Sequence, residues 1–368
     1  MKRNQIAVNL FISAAAILFM AVVLEGGIRL LFPDHPQPDR FRLSTLLGWE
    51  WTPGYEAVEH FKGVDYQMKI STQGLRNELV VVPKPAGTYR ILALGDSITE
   101  GPGVELQGTL IKILERLLAE KWVGIETVEV VNAGTGDYGT EQELIWLRER
   151  GVSYEPDLVI LNLYLNDSRS FVPPASFTAA YNNFLVEHSA FYTFWRSLVR
   201  QQLVAQNQAT TDFRFRFLPA WEAGGWRTDS KALTQLIQSA DQDWGLAWYD
   251  EELLRIEGML TEMIQLAQTE GFELQLVIFP VNVQVYTQVD TPLDLTGPQY
   301  ELVHFARQQG LPVLDLLPVL RAYNDEVLYY DQAHLTPHGH ELAAEAIQDA
   351  LEENQQVSKW EILKSMLK

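Results

Sequence analysis

Hydrophobic positions divide the chain into distinct regimes. From residue 6 to residue 24 they run unbroken except for Asn9 and Ser13. From Tyr89 onward, short apolar runs alternate with amphipathic stretches. Residues 90–94, 128–131, 158–163 and 274–279 read as strands, with 311–314 as a fifth. Residues 106–121 place apolar side chains at 110, 111, 113, 114, 117 and 118, the spacing of a helix with one buried face. Further helices are expected over 140–150, 253–270, 300–309 and 338–353, the first with Thr140 and Glu143 at capping-box spacing. Near-continuous apolar strands alternating with helices predict an α/β fold whose parallel sheet is covered on both faces.

The remaining stretches have other characters. Residues 33–53 contain prolines at 33, 36, 38 and 53 and read as a linker. Residues 55–82 hold alternating stretches such as 64–70 and a Gln73-Gly74 turn, which predicts a small β-rich accessory element closed by Pro83 and Pro85. Residues 169–250 break the strand–helix alternation. They are dense in aromatics: Phe171, Phe177, Phe184, Phe191, Tyr192, Phe194, Trp195, Phe213, Phe215, Phe217, Trp221 and Trp226. This segment is too long for an ordinary connection. It reads equally as a cap over a site or as a packing appendage.

The first apolar run has 19 residues. At about 1.5 Å per residue it spans roughly the 30 Å hydrocarbon core of a bilayer. A cleaved signal peptide followed by secretion is the alternative. The run is longer than a usual signal core, and the small residues Ala14-Ala15-Ala16 lie inside it, so a single-pass anchor is the expectation. Lys2 and Arg3 precede the run and favour a cytoplasmic N-terminus, with the rest of the chain on the periplasmic or extracellular side.

Composition narrows the function. The formal net charge is -20, with no local Lys/Arg cluster, so nucleic acid is not an expected partner. Cysteine is absent, which excludes disulfides, thiolate metal sites and a catalytic thiol.

In a parallel α/β sheet, ligands bind beyond the carboxyl ends of the strands. Three expected loops there have unusual composition: 95–103, 132–139 and 164–168. Gly95-Asp96-Ser97 follows the first strand and presents a hydroxyl, although this tripeptide also serves as turn or cap chemistry. Asp331-Gln332-Ala333-His334 offers an imidazole to take a serine proton and a carboxylate to orient it. Asn132-Ala133-Gly134-Thr135-Gly136 offers backbone N–H groups, and Asn166-Asp167 a side-chain amide. Acyl transfer requires such donors around its oxyanion. His334, His338 and His340 invite a metal reading, but Thr336-Pro337 intervenes and no acidic third ligand is positioned, so no metal is expected.

In their order, these segments make the chain resemble the SGNH, or GDSL, hydrolases. The first block matches Leu94-Gly95-Asp96-Ser97-Ile98-Thr99-Glu100-Gly101. The second matches Asn132-Ala133-Gly134, the third Tyr164-Leu165-Asn166-Asp167, and the last Asp331-Gln332-Ala333-His334. The resemblance covers about residues 89–350. It implies a flavodoxin-like three-layer α/β/α sandwich. It also implies Ser97 as nucleophile, His334 as general base, Asp331 orienting it, and oxyanion donors from the Ser97 and Gly134 amides and the Asn166 side chain.

The third block usually opens with glycine, so Tyr164 predicts a bulkier pocket wall. The Gly-x-Ser-x-Gly elbow of the other large esterase fold is absent, since residues 95–99 read Gly-Asp-Ser-Ile-Thr. Asp96 and Asp167 read as loop-structuring residues, and Arg76 as a tie between the accessory element and the core, with a place lining the site as the alternative.

The expected organisation is an anchor over 1–32, a linker and accessory β segment over 33–88, a hydrolase domain over 89–353 with its insertion at about 169–250, and a tail over 354–368. The expected activity is cofactor-free ester hydrolysis on a small-molecule, glycan or lipid ester. The alternatives are O-acyl transfer to a cell-surface glycan and a non-catalytic envelope scaffold.

Overall fold

The computed structural model describes residues 2–32, 39–122, 125–166, 171–207, 216–289 and 293–366. The chain opens with α1 (Lys2–Leu31) and two antiparallel hairpins, β1 (Phe41–Ser44) with β2 (Gly48–Trp51) and β3 (Glu56–Phe61) with β4 (Val64–Lys69). The parallel strand β5 (Thr88–Gly95) leads into the one-turn α2 (Ser97–Glu100), then α3 (Leu110–Lys121), β6 (Thr127–Asn132), α4 (Thr140–Glu149) and β7 (Leu158–Tyr164). Helices α5 (Ser176–His188), α6 (Ala190–Asn207), α7 (Leu218–Glu222), α8 (Ser230–Ser239) and α9 (Asp250–Glu270) follow. The chain continues through β8 (Glu273–Phe279), α10 (Asn282–Tyr286), α11 (Gly297–Gln308), β9 (Val313–Asp315), α12 (Leu317–Arg321) and α13 (Pro337–Met366).

These elements form two compact units. One joins Met1–Thr52 to Pro173–Thr211, and the other joins Pro53–Val172 to Asp212–Lys368. The larger unit is built on a five-stranded parallel sheet in the order β6-β5-β7-β8-β9. Numbered by appearance that is 2-1-3-4-5, the flavodoxin-like doubly wound order. Helix α3 packs on β6 and against α13, while α4, α9 and α11 pack with one another and on β5, β8 and β9. Every residue of β7 is buried, which is why its sequence is nearly all apolar. On α3, Leu110, Ile111, Leu114 and Leu118 are fully buried. Each such side chain contributes roughly 1.5–3 kcal/mol by leaving water.

Within this unit, the hairpin β3–β4 buries Tyr66 and Met68 on one face. Phe217, Trp226 and Trp244 are also buried, so the aromatics after residue 216 pack a core. Phe213 and Phe215 lie outside the described residues.

The Thr140–Glu143 capping box does not form. Gly139 is the N-cap of α4, and its N–H donates to the Gln142 side chain at 3.2 Å. Glu143 instead faces inward and is 1% exposed. The helix takes its first turn one residue earlier than the spacing suggested, which rotates Glu143 to the buried side.

The smaller unit contains α1, the β1–β2 hairpin, α5 and α6. Residues 41–51, expected to be linker, form a hairpin closed by a Phe41–Trp51 ring contact at 4.5 Å. Asn183 on α5 bonds both backbone groups of Leu43, at 3.2 and 2.8 Å. These local pairings offset the turn-forming bias of the surrounding sequence. Pro33, Pro36 and Pro38 lie outside the described residues. Helix α1 is long and apolar enough over Val8–Leu31 to cross a membrane, by length and composition.

Candidate active site

The site lies in the larger unit, where the chain leaves β5 in one direction for β6 and later returns on the other side for β7. Gly95 ends β5 with φ 151°, and a Cβ there would lie 2.1 Å from Thr99 Oγ1 and 2.9 Å from Asn162 O. Glycine is therefore required by both conformation and space. Asp96 caps α2, its Oδ1 accepting from Ile98 N–H at 2.8 Å, which confirms it as a loop-structuring residue. Ser97 then opens the single helical turn and is half-buried.

Residues 329–335 close into a tight loop. Tyr329 and Leu335 form a β-bridge, and Tyr330 N–H donates to His334 O at 2.8 Å. This turn explains the three-residue spacing of Asp331 and His334. Asp331 Oδ1 accepts from the Ala333 and His334 amides, each at 2.9 Å, while both carboxylate oxygens lie 2.9 Å from His334 Nδ1. The other ring nitrogen, Nε2, lies 2.9 Å from Ser97 Oγ. The Ser97 hydroxyl, the His334 imidazole and the Asp331 carboxylate thus stand in one hydrogen-bonded line.

Burial and charge act on this line together. Burial disfavours the charged imidazolium, but the adjacent Asp331 carboxylate outweighs it, so the His334 pKa lies above its ordinary value. For Asp331, burial favours the neutral acid. The positive imidazole and three hydrogen bonds outweigh that, and its pKa is lowered. A neutral His334 can take the serine proton, and an ionised Asp331 holds the Nδ1–H tautomer.

The loop after β6 is tied to the turn that carries Ser97. Ala133 and Thr135 N–H groups donate to Ala93 O and Gly95 O at 2.9 and 3.0 Å. Asn132 Nδ2 donates to Thr99 O at 2.8 Å, and Asn132 Oδ1 accepts from Gly134 N–H at 2.9 Å. A Cβ on Gly134 would lie 2.4 Å from Glu100 N, so only glycine lets the loop approach this closely. Asn166 follows β7 and is 8% exposed. Asp167 lies outside the described residues.

Four supporting residues carried no decisive sequence signal. Phe61, at the end of β3, packs edge-on against His334 at 5.0 Å. Asn282 Nδ2 donates to Asp331 O at 2.7 Å. Asn162 Nδ2 donates to Thr99 Oγ1 at 3.0 Å from within β7, where its amide interrupted the apolar run. Tyr164 is 1% exposed, and its hydroxyl donates to Gln332 O at 3.2 Å. It braces the histidine loop from the interior instead of forming the expected bulky pocket wall. Burial holds its pKa well above the ordinary phenol value, so it remains a donor.

Arg76 is the expected tie. It is fully buried and donates to the carbonyls of Glu100, Gly101 and Val104, the first at 2.6 Å. The three clustered histidines point to different neighbours. His338 Nε2 lies 2.8 Å from Glu326, and His340 Nδ1 accepts from Leu110 N–H at 3.2 Å. Burial, then the positive Arg76, lowers the His340 pKa to about 3, which fits a neutral ring accepting a hydrogen bond. Among the described residues, no group of three or more His, Asp or Glu is placed to hold a metal ion.

The model of the GDSL-like lipase/acylhydrolase family matches residues 93–342. The chain belongs to that family. It is an ester-hydrolysing enzyme of the GDSL type. The matched span contains Ser97, Gly134, Asn166 and the Asp331–His334 loop. No curated protein sequence matches it.

Several solved structures are similar in fold. The acetyl xylan esterase AlAXEase is 15% identical with TM-score 0.40, and the match covers 71% of this chain and 98% of that one. The psychrotrophic esterase EstA from Pseudoalteromonas sp. is 11% identical with TM-score 0.40, covering 73% and 98%. The acetylxylan esterase Axe2 from Geobacillus stearothermophilus is 13% identical with TM-score 0.42, covering 71% and 93%.

Proposed function

We propose that the enzyme cleaves its ester by a two-step acyl transfer through Ser97. His334 Nε2 takes the serine proton as Oγ attacks the carbonyl carbon. The new C–O bond forms as the carbonyl π electrons move to oxygen. His334 then protonates the leaving alcohol as the old C–O bond breaks, and an acyl-Ser97 remains. Water, deprotonated by His334, repeats the sequence and releases the acid. Asp331 stabilises the imidazolium in both halves. The oxyanion is held by the Ser97 amide and the Asn166 side chain. The Gly134 amide joins them by sharing the N–H that Asn132 Oδ1 accepts in the resting site.

The observation that carries this reading is the 2.9 Å contact between His334 Nε2 and Ser97 Oγ, with Asp331 on the opposite ring nitrogen. A fluorophosphonate probe tests it. Ser97 should be the labelled residue, and Ser97→Ala should lose labelling and roughly 10⁴- to 10⁶-fold in ester turnover while melting like the parent. Labelling elsewhere, or turnover retained by the purified variant, refutes the assignment.

We further propose that α1 anchors the enzyme in the cell membrane with the catalytic unit on the outer side. The length of the apolar run and the Lys2-Arg3 pair before it support this orientation. The substrate is then an ester at the cell envelope, carried by a glycan or a lipid.

A further inference from the structure

Helix α1 contains two charged residues near its carboxyl end, Glu25 and Arg29, and both serve the junction of α5 and α6. Glu25 Oε2 accepts from Ser189 Oγ at 2.9 Å and from Phe191 N–H at 3.1 Å, while Oε1 accepts from Ala190 N–H at 2.9 Å. The carboxylate thereby satisfies amides at the start of α6 that have no partner inside the helix. Arg29 Nη2 donates to His188 O, the last carbonyl of α5, at 3.2 Å, and its Nε bonds Glu25 at 2.8 Å. Phe32 and Phe194 meet at 5.3 Å. The apolar run of α1 ends at Leu24, one residue before Glu25. The clamp therefore fixes the α5–α6 junction at the end of the unbroken apolar run of α1.

Both clamped helices carry an uncovered apolar stripe. On α5, Phe177, Tyr181 and Phe184 recur at helical spacing and are 79, 57 and 57% exposed. Phe177 stacks on Tyr181 at 5.9 Å, and Phe184 on His188 at 4.5 Å, so the rings form one continuous face. The inward side of the same helix holds the buried Ala179 and the Asn183 bonds to Leu43. On α6, Trp195, Leu198 and Val199 are 58, 43 and 39% exposed. Over 176–207 the sequence has one acidic residue, Glu187, against Arg196 and Arg200, in a chain with 48 acidic and 28 basic residues. Their charge therefore does not repel an anionic surface, although the chain as a whole is strongly acidic.

We propose that α5 and α6 lie in the membrane–water interface beside α1, with Phe177, Tyr181, Phe184 and Trp195 set into the headgroup region of the lipid. This rests on the reading of α1 as a membrane anchor. Tyrosine and tryptophan favour that depth because one end of the ring system is apolar and the other can hydrogen-bond to water. Helices of this kind bind by area and charge and lie parallel to the bilayer. The part of the aromatic-rich insertion preceding residue 208 is then a second membrane contact, which holds α1 at a defined depth through the Glu25–Arg29 clamp.

Absence of native cysteine makes the test clean. Single-cysteine variants Phe177→Cys and Trp195→Cys of the full chain, with Leu18→Cys in α1 and Glu345→Cys as a water-exposed reference, are labelled with an environment-sensitive fluorophore. Each is reconstituted into phosphatidylcholine–phosphatidylglycerol vesicles. Labels at 177 and 195 should shift to the blue and be quenched by a lipid carrying a nitroxide near its headgroup, and not by a water-soluble nickel complex. Labels at 177 and 195 that match the one at 345, while the one at 18 is lipid-quenched, overturn the proposal and leave the anchor standing. A label at 18 that reports water overturns both. Blue shifts at 177 and 195 that ignore the lipid nitroxide and grow with protein density show a second copy on the stripe, and overturn the lipid assignment.

Discussion

The Phe61 ring meets the His334 imidazole edge-on, with centroids 5.0 Å apart and planes at 79°. The same ring lies 6.1 Å from Tyr330, whose hydroxyl donates to Gly103 O at 3.2 Å. A residue of the accessory hairpin thus limits the rotation of the proposed general base. Phe61→Ala should lower kcat roughly 10- to 100-fold through a loosened imidazole, with a much smaller change in KM. Phe61→Leu, which keeps bulk at the ring edge, should recover most of the loss. Equal turnover for Ala and wild type in steady-state kinetics would show that the contact does not position the histidine.

The direction of the His334 shift sets a pH limb. The imidazolium cannot accept the serine proton, and Asp331 raises its pKa above the ordinary 6.5. The acid limb of kcat/KM should therefore have its midpoint above pH 6.5, with activity rising as pH rises through it. In Asp331→Asn the largest raising charge is gone while burial remains, with only Asp96 and Glu100 still raising it, so the midpoint should fall below that of the parent. The maximal rate should drop about 10⁴-fold. An unmoved midpoint in the variant would mean that another group carries the limb.

Asn166 and Gly134 should fail differently. Asn166→Ala removes a donor and should lower kcat roughly 10²- to 10³-fold with little effect on melting. Gly134→Ala places a methyl group 2.4 Å from Glu100 N, where backbone must shift. It should lower both activity and melting temperature. Normal melting together with normal kinetics in Gly134→Ala would contradict the close approach of the two loops.

Glu143 offers a separate pH test. Burial, then the nearby Asp96, holds its pKa well above 4.5. The folded chain keeps the proton that the unfolded chain releases as pH rises through the ordinary carboxylate range, so the group favours unfolding increasingly above about pH 4.5. Glu143→Gln mimics the protonated acid. Its melting temperature should equal that of wild type near pH 4 and exceed it progressively toward pH 8. A difference constant across that range would mean that Glu143 is not the titrating group.

Much of the larger unit was legible because its signals are local. The all-apolar run of β7 and the one-sided pattern of α3 reflect which faces are buried, and burial is written into each element's own composition. The four site blocks were legible for a related reason, since three of them end strands of one parallel sheet and the fourth closes a tight loop just before the last helix. The Thr140–Glu143 spacing misled because two helical starts, one residue apart, satisfy similar local chemistry, and only packing against the sheet selects which face turns inward. The 41–51 hairpin was obscured by the prolines preceding it, although its Phe41 and Trp51 pair only across the turn.

The sequence by itself determined the strand order of the chemistry: serine after β5, glycine after β6, asparagine after β7, and the Asp331–His334 pair before the last helix. Each depends on a short stretch whose conformation is settled by neighbours in the chain. Tertiary structure decided which residues support them. Phe61 on His334, Asn282 on the Asp331 carbonyl, Tyr164 on the histidine loop and Glu25 on the start of α6 are contacts between segments distant in sequence. No periodicity encodes such pairs, because they arise only when packed layers bring chain segments to within a few ångströms.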